Sequence, residues 1–169
     1  MMKFQWVVSV ILLAVAVAMA GESGLRKVVV TDADWSFAIS LMTELESSGK
    51  KATIGDQGES FGILQIQNGY LGDALDWARR NSEDPHASAV LFWDKKLGGL
   101  TAERLLEAPS TVPYNIVRCY MVRWAGKAPT LEWVLRIHNG GPFDQEDPVH
   151  WRKKTNRHVK RARDLLTRN

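Results

Sequence analysis

The chain is poor in cysteine. Cys119 is the lone one in 169 residues, which excludes an intramolecular disulfide, so the fold must be held by its core. It lies in the apolar helical stretch YNIVRCYMVRWA, where an inert buried thiol is expected rather than a nucleophile. Histidine is scarce too. His86, His138, His150 and His158 show no short ligand spacing and have no cysteine cluster beside them, so no metal site and no cofactor is expected. The Gly-x-Ser-x-Gly elbow of a serine hydrolase is missing. No repeat or low-complexity segment appears. Acid is nearly absent from the C-terminal end. From Trp151 onward, Asp164 stands alone against Arg152, Lys153, Lys154, Arg157, Lys160, Arg161, Arg163 and Arg168.

The one long apolar run is at the start. MMKFQW carries Lys3, VVSVILLAVAV follows, and Ala18-Met19-Ala20 offers small residues for cleavage. This order predicts a signal peptide over residues 1–20 and one mature domain over 21–169, secreted or periplasmic. The run is too short for a comfortable membrane span, and a retained anchor is the plain alternative. Export argues against a nucleic-acid partner. The basic end therefore suits an anionic cell-wall polymer or membrane surface, or is simply a solvated helix face. The rest of the mature chain is net acidic.

Periodicity predicts a mainly α (α+β) domain. Thr31 or Asp32 caps a helix to about Glu46, with Trp35, Ile39, Met42 and Leu45 at helical spacing; Ser47, Ser48 and Gly49 end it. Residues 49–60 read as loop or hairpin, with Gly55-Asp56 and Gly58 as turn signals and a small sheet drawn from KATI and SFGILQI. Helices follow in NGYLGDALDWARRN, PHASAVLFWDKKL, TAERLLE, PYNIVRCYMVRWAG and TLEWVLRIHNGG. The last, HWRKKTNRHVKRARDLL, carries Trp151, Thr155, His158, Ala162, Leu165 and Leu166 on one face.

The chemistry concentrates in LESSGKKATIGDQGESFGILQI, residues 45–66. Glu46 ends an apolar helix. The negative helix end and apolar neighbours disfavour its charged form, which suits a general acid. Asp56 follows a turn that can fold it back and should stay ionised in a polar loop. One protonated and one ionised carboxyl is the pairing of a glycosidase, although two acids across a turn are commonplace on their own. Glu59 competes for the second place. Gly62 bares its backbone beside the Gln65 amide, a donor and acceptor set complementary to an N-acetyl group. Seven tryptophans are many for this length; surplus Trp serves either a core or a sugar groove.

Taken in order, Glu-Ser at a helix end, Gly-Asp-x-Gly, Gly-x-x-Gln-Ile and a later His-Asn-Gly-Gly-Pro resemble the lysozyme-like superfamily. ESSG, DQGES, GILQI and HNGGP resemble elements of the invertebrate-type (destabilase) lysozymes and the related bacterial transglycosylase-like lysozymes. The single cysteine points to the bacterial branch, because invertebrate-type enzymes are cystine-rich. The resemblance spans about Asp34 to Trp151. It implies a lysozyme-like fold and a monomeric muramidase acting on peptidoglycan glycan strands, with Glu46 as acid and Asp56 as nucleophile or ion stabiliser. It places Ser47, Gly62, Gln65, Tyr70, His138, Asn139 and Gly140 in the substrate groove. Two departures stand out: the loop after Asp56 is one residue short of the invertebrate spacing, and Leu64 replaces the usual aromatic. A lytic transglycosylase, a glycan-binding protein without activity and a cationic membrane-active protein are the competing readings.

Overall fold

The computed structural model describes residues 22–47, 54–55 and 58–167. The expected signal peptide, the residues expected to end the first long helix after Ser47, and Asp56 lie outside them. The chain is mainly helical with a small antiparallel sheet. The elements are α1 (Glu22–Leu25), α2 (Asp32–Ser47), β1 (Ile54–Gly55), β2 (Ser60–Phe61), α3 (Asn68–Arg80), α4 (Pro85–Lys96), a 3-10 helix (Glu103–Leu106), α5 (Thr111–Ala125), α6 (Leu131–Gly140) and α7 (Pro148–Thr167). Contacts divide the chain into two compact units: residues up to Ala38 with Ala128 onward, and Ile39–Lys127. Among the described residues, no helix is long and apolar enough to cross a membrane, and no group of three His, Cys, Asp or Glu could hold a metal ion.

In the first unit, α2 starts on a reciprocal cap. The Asp34 amide donates to Thr31 Oγ1 at 3.2 Å, and the Thr31 amide donates back to Asp34 Oδ2 at 3.0 Å, which satisfies donors a helix start otherwise leaves unpaired. Lys27 Nζ lies 2.6 Å from Asp34 Oδ1. This ammonium, with help from Thr31, holds the Asp34 carboxyl well below the usual carboxylate range. Thr130 caps α6 by accepting from the Trp133 amide at 3.2 Å. Helices α6 and α7 pack together. Trp133, Phe143 and Trp151 form an aromatic trio with centroids 5.1–5.6 Å apart. Arg136 bridges to Glu132 on its own helix and to Thr155 Oγ1 on α7 at 2.8 Å. The α7 stripe is Trp151, Thr155, His158, Val159, Ala162 and Leu166. Val159 thus joins the buried face and Leu165 sits at its half-exposed margin, a stripe slightly rotated from the expected one.

In the second unit, α3, α4 and α5 pack pairwise. Leu71, Ala74, Leu75 and Ala78 of α3 are buried, as are Ala87 and Val90 of α4 and Ile116, Val117 and Met121 of α5. Asp84 caps α4, accepting from the His86 amide at 2.8 Å and the Ala87 amide at 3.1 Å, and Pro85 begins the helix where its missing N–H costs nothing. Asp73 and Asp76 of α3 both pair with Arg123 of α5. Cys119 is buried, and burial pushes its thiol up to about 12, which leaves it an inert core group. TAERLLE differs from expectation: only Glu103–Leu106 coil, and as a 3-10 turn. The turn is pinned in front by the Ala102 amide, which donates to Asn68 Oδ1 at 2.9 Å, and Pro109 follows closely behind.

Candidate functional site

The site is built on the last turn of α2 and the hairpin that follows. Trp35, Ile39, Met42 and Leu45 are buried along α2, which fixes its rotation and leaves Glu46 half-buried beside them. Ser47, the final helical residue, is buried. Its hydroxyl donates to Ile63 O at 2.8 Å and reaches Thr43 O at 3.1 Å. The residue after the acid therefore fastens the helix end to the loop carrying Gly62 and Gln65. Its hydroxyl is spent on backbone carbonyls, so Ser47 positions the site from within.

The hairpin pairs Ile54 with Phe61 and Gly55 with Ser60. Phe61 also bridges to Ile66 through two backbone bonds of 3.1 and 3.0 Å, which adds one isolated bridge to the two-stranded sheet. Between Phe61 and Ile66 the chain makes a four-residue loop. Gly62 opens it at φ +76°, where a side chain is disfavoured. Gln65 closes it at φ +48°, the non-glycine residue held in the left-handed region among those described. The loop returns the cost locally: Gln65 N and Nε2 both donate to Gly62 O, at 3.2 and 2.8 Å. Gln65 Oε1 lies over Gly55, only 2.0 Å from where a Cβ would stand. Gly55, expected as a turn residue, is instead a strand residue kept bare for the Gln65 amide.

Tyr70 rises from the first turn of α3. Its ring stacks on Tyr120 of α5, with centroids 3.5 Å apart and planes 15° from parallel. Burial, then Tyr120, Cys119 and the charge of Glu46 push the Tyr70 phenol well above its ordinary value. Tyr70 is thus a neutral hydroxyl within electrostatic reach of the candidate acid. Tyr120 is driven up by burial as well; in the sequence it belongs to an apolar stretch, and its place in the middle of α5 carries no sign of a stacking partner.

The structure therefore brings together Glu46, Ser47, Gly62, Gln65 and Tyr70 in one unit. Asp56 lies outside the described residues. Glu59 is exposed in the hairpin turn, and Glu44 is exposed on α2. No protein-family model, curated protein or solved structure matches the chain.

His138, Asn139 and Gly140 belong to the other unit. His138 is half-buried and Asn139 exposed, at the end of α6. Gly140 has a packing reason for being glycine: a Cβ there would stand 2.4 Å from Thr155 Cγ2 and 3.2 Å from Trp151 Nε1. Gly141 then stops the helix at φ +79°. Gly140, assigned to the groove by resemblance, thus serves the close approach of α6 and α7.

Proposed function

We propose that the chain is an exported muramidase with a lysozyme-like fold, cutting the β-1,4 bond between N-acetylmuramic acid and N-acetylglucosamine in peptidoglycan. Glu46 is the general acid that protonates the leaving oxygen, and Asp56 is the carboxylate that attacks or stabilises the oxocarbenium-like centre. The observation that carries this reading is the Ser47–Ile63 hydrogen bond. It couples a half-buried helix-end glutamate to a strained glycine–glutamine loop, with the neutral phenol of Tyr70 near the glutamate. Sites that hold a reacting group in fixed geometry beside strained backbone are where catalysis is sought first. The Gln65 amide and bare Gly62 backbone offer the donors and acceptors that an N-acetyl group requires.

Glu46→Gln keeps the shape and removes the transferable proton. Its expected effect is a loss of at least about a hundredfold in clearing a cell-wall suspension, the usual worth of a general acid. Clearance at the parental rate would show that Glu46 is not the acid. Mass spectrometry of the released fragments then reads the chemistry: reducing ends follow attack by water, and anhydro ends follow closure by the sugar itself.

A further inference from the structure

Most of the surplus tryptophan has a structural place. Trp35 and Trp151 are buried, Trp133 belongs to the aromatic trio, and Trp124 donates its indole N–H to Asp73 Oδ2 at 3.1 Å. Trp93 is different. It is half-buried in the last turn of α4 and walls a half-open cleft of about 410 Å3, inside the size range of small-ligand sites. Leu97, Ala108 and Pro109 are its other apolar walls, and Arg104 and Glu107 are its charged ones.

The cleft is held in shape before any ligand arrives. Lys96 Nζ lies 4.3 Å from the Trp93 ring centroid, which favours one orientation of the indole. Arg104 Nη1 donates to Gly99 O at 2.7 Å and to Leu97 O. The loop bearing those carbonyls is itself fixed. Gly98 and Gly99 take positive φ, the Gly99 amide donates to Asp94 O at 2.8 Å, and the Leu100 amide donates to Asp94 Oδ1 at 2.7 Å. One guanidinium nitrogen is spent on this anchoring, which leaves Nε and Nη2 of Arg104 as further donors.

The chemistry of the walls selects a ligand class. An anion meets Glu107, a cation meets Arg104, and a purely apolar ligand strips water from two charges without replacing their hydrogen bonds. A pyranose ring fits all three demands. Its C–H face stacks on an indole, and its vicinal hydroxyls both accept from a guanidinium and donate to a carboxylate. We propose that this cleft is a saccharide-binding site, with one sugar stacked on Trp93 and hydrogen-bonded between Arg104 and Glu107. The choice of an N-acetylated β-1,4 glycan as its occupant rests on the muramidase reading; the site itself does not. The 3-10 helix that supplies Arg104 also packs against β2 of the hairpin. A glycan held here is anchored beside the hairpin through residues the hairpin does not use.

The test uses the full chain carrying Glu46→Gln, so that the probe is not consumed. A soluble β-1,4-linked N-acetylglucosamine tetramer is titrated while the Trp93 indole N–H resonance is followed, assigned by its disappearance in Trp93→Phe. The expected result is a saturable shift of that resonance, with Glu107→Gln weakening the titration about tenfold, as loss of a charge-assisted hydrogen bond should. Glu107 is exposed, so this variant should melt like its parent. A resonance that stays still at saturating sugar, or a Glu107→Gln titration that overlays the parent, overturns the proposal. Wall clearance by the Glu46→Gln protein is scored separately. Clearance that survives, with the Trp93 resonance still shifting, removes the catalytic reading and leaves the cleft in place.

Discussion

Gly140 shows how a single missing methyl group sets a helix pair. With Thr155 Cγ2 2.4 Å from the position of a Cβ, Gly140→Ala must push α6 from α7 or turn Thr155 out of its rotamer. Thr155 cannot turn freely, because its hydroxyl accepts from Arg136 and donates to Trp151 O. The substitution should cost about 1–3 kcal/mol, the usual penalty for overpacking, read from a urea melt. Gly55→Ala makes the opposite kind of demand. There the atom in the way is the end of the Gln65 side chain, so stability should change little while the amide leaves its seat over Gly55. Wall clearance should fall with the melt nearly unmoved, and a large drop in melting temperature would show Gly55 to be structural instead. In the sequence, Gly55 reads as a turn signal and Gly140 as a groove residue implied by resemblance. What makes each one necessary is a residue distant along the chain, Gln65 for one and Thr155 for the other, and local pattern carries no record of such approaches.

At the level of elements, the cap of α2 was readable, and Asp84 and Thr130 use the same chemistry on α4 and α6. Thr31, Asp84 and Thr130 each stand just before an apolar-periodic run, and each has its side-chain oxygen on an early amide of the helix. Capping is a short-range interaction, so short-range pattern detects it. Thr31→Ala should cost about 1 kcal/mol in thermal or denaturant unfolding. The 3-10 turn at Glu103–Leu106 was less legible because its shape depends on Asn68, far away in sequence, and on packing against β2. The loop at 62–65 was legible only as a glycine beside an amide; the left-handed conformation of Gln65 follows from the Phe61–Ile66 bridge, which dictates where the chain must reverse. Glu46 was placed correctly at a helix end because α2 runs as its apolar spacing requires.

For the molecule as a whole, buried and paired groups predict how stability follows pH. Burial, and then Arg161, lower His158 to about 4 from an ordinary value near 6.5. Between those values the unfolded chain takes up a proton that the folded chain refuses, so stability falls as pH drops from about 6.5 to about 4 and this loss then levels off. Asp34, lowered by Lys27, works in a separate window. Its contribution is complete above about 4, the unfolded carboxylate value, and is lost as pH falls further. Melting temperatures across pH 2–8 should therefore decline in two stages. Asp34→Asn should shrink the lower stage, to which the lowered carboxyls of Asp76 and Glu103 also contribute, and leave the upper one, whereas a single stage below pH 4 would remove His158 from the account. The division of basic from acidic residues along the chain was plain in the sequence, and α7 carries the basic part on its exposed faces, away from the stripe of Trp151, His158 and Leu166.

The hydroxyl of Ser47 lies between two pieces of backbone that would otherwise fluctuate independently. Because it reaches Ile63 O from the end of α2, any opening that frees the loop must also release the last turn of the helix. Deuterium uptake should therefore proceed at one shared rate for the amides of Phe61 and Ile66 and for those of Leu45 to Ser47. In Ser47→Ala the two groups of amides should separate into a fast set and a slow one, and the helix end that carries Glu46 would then move out of step with the loop.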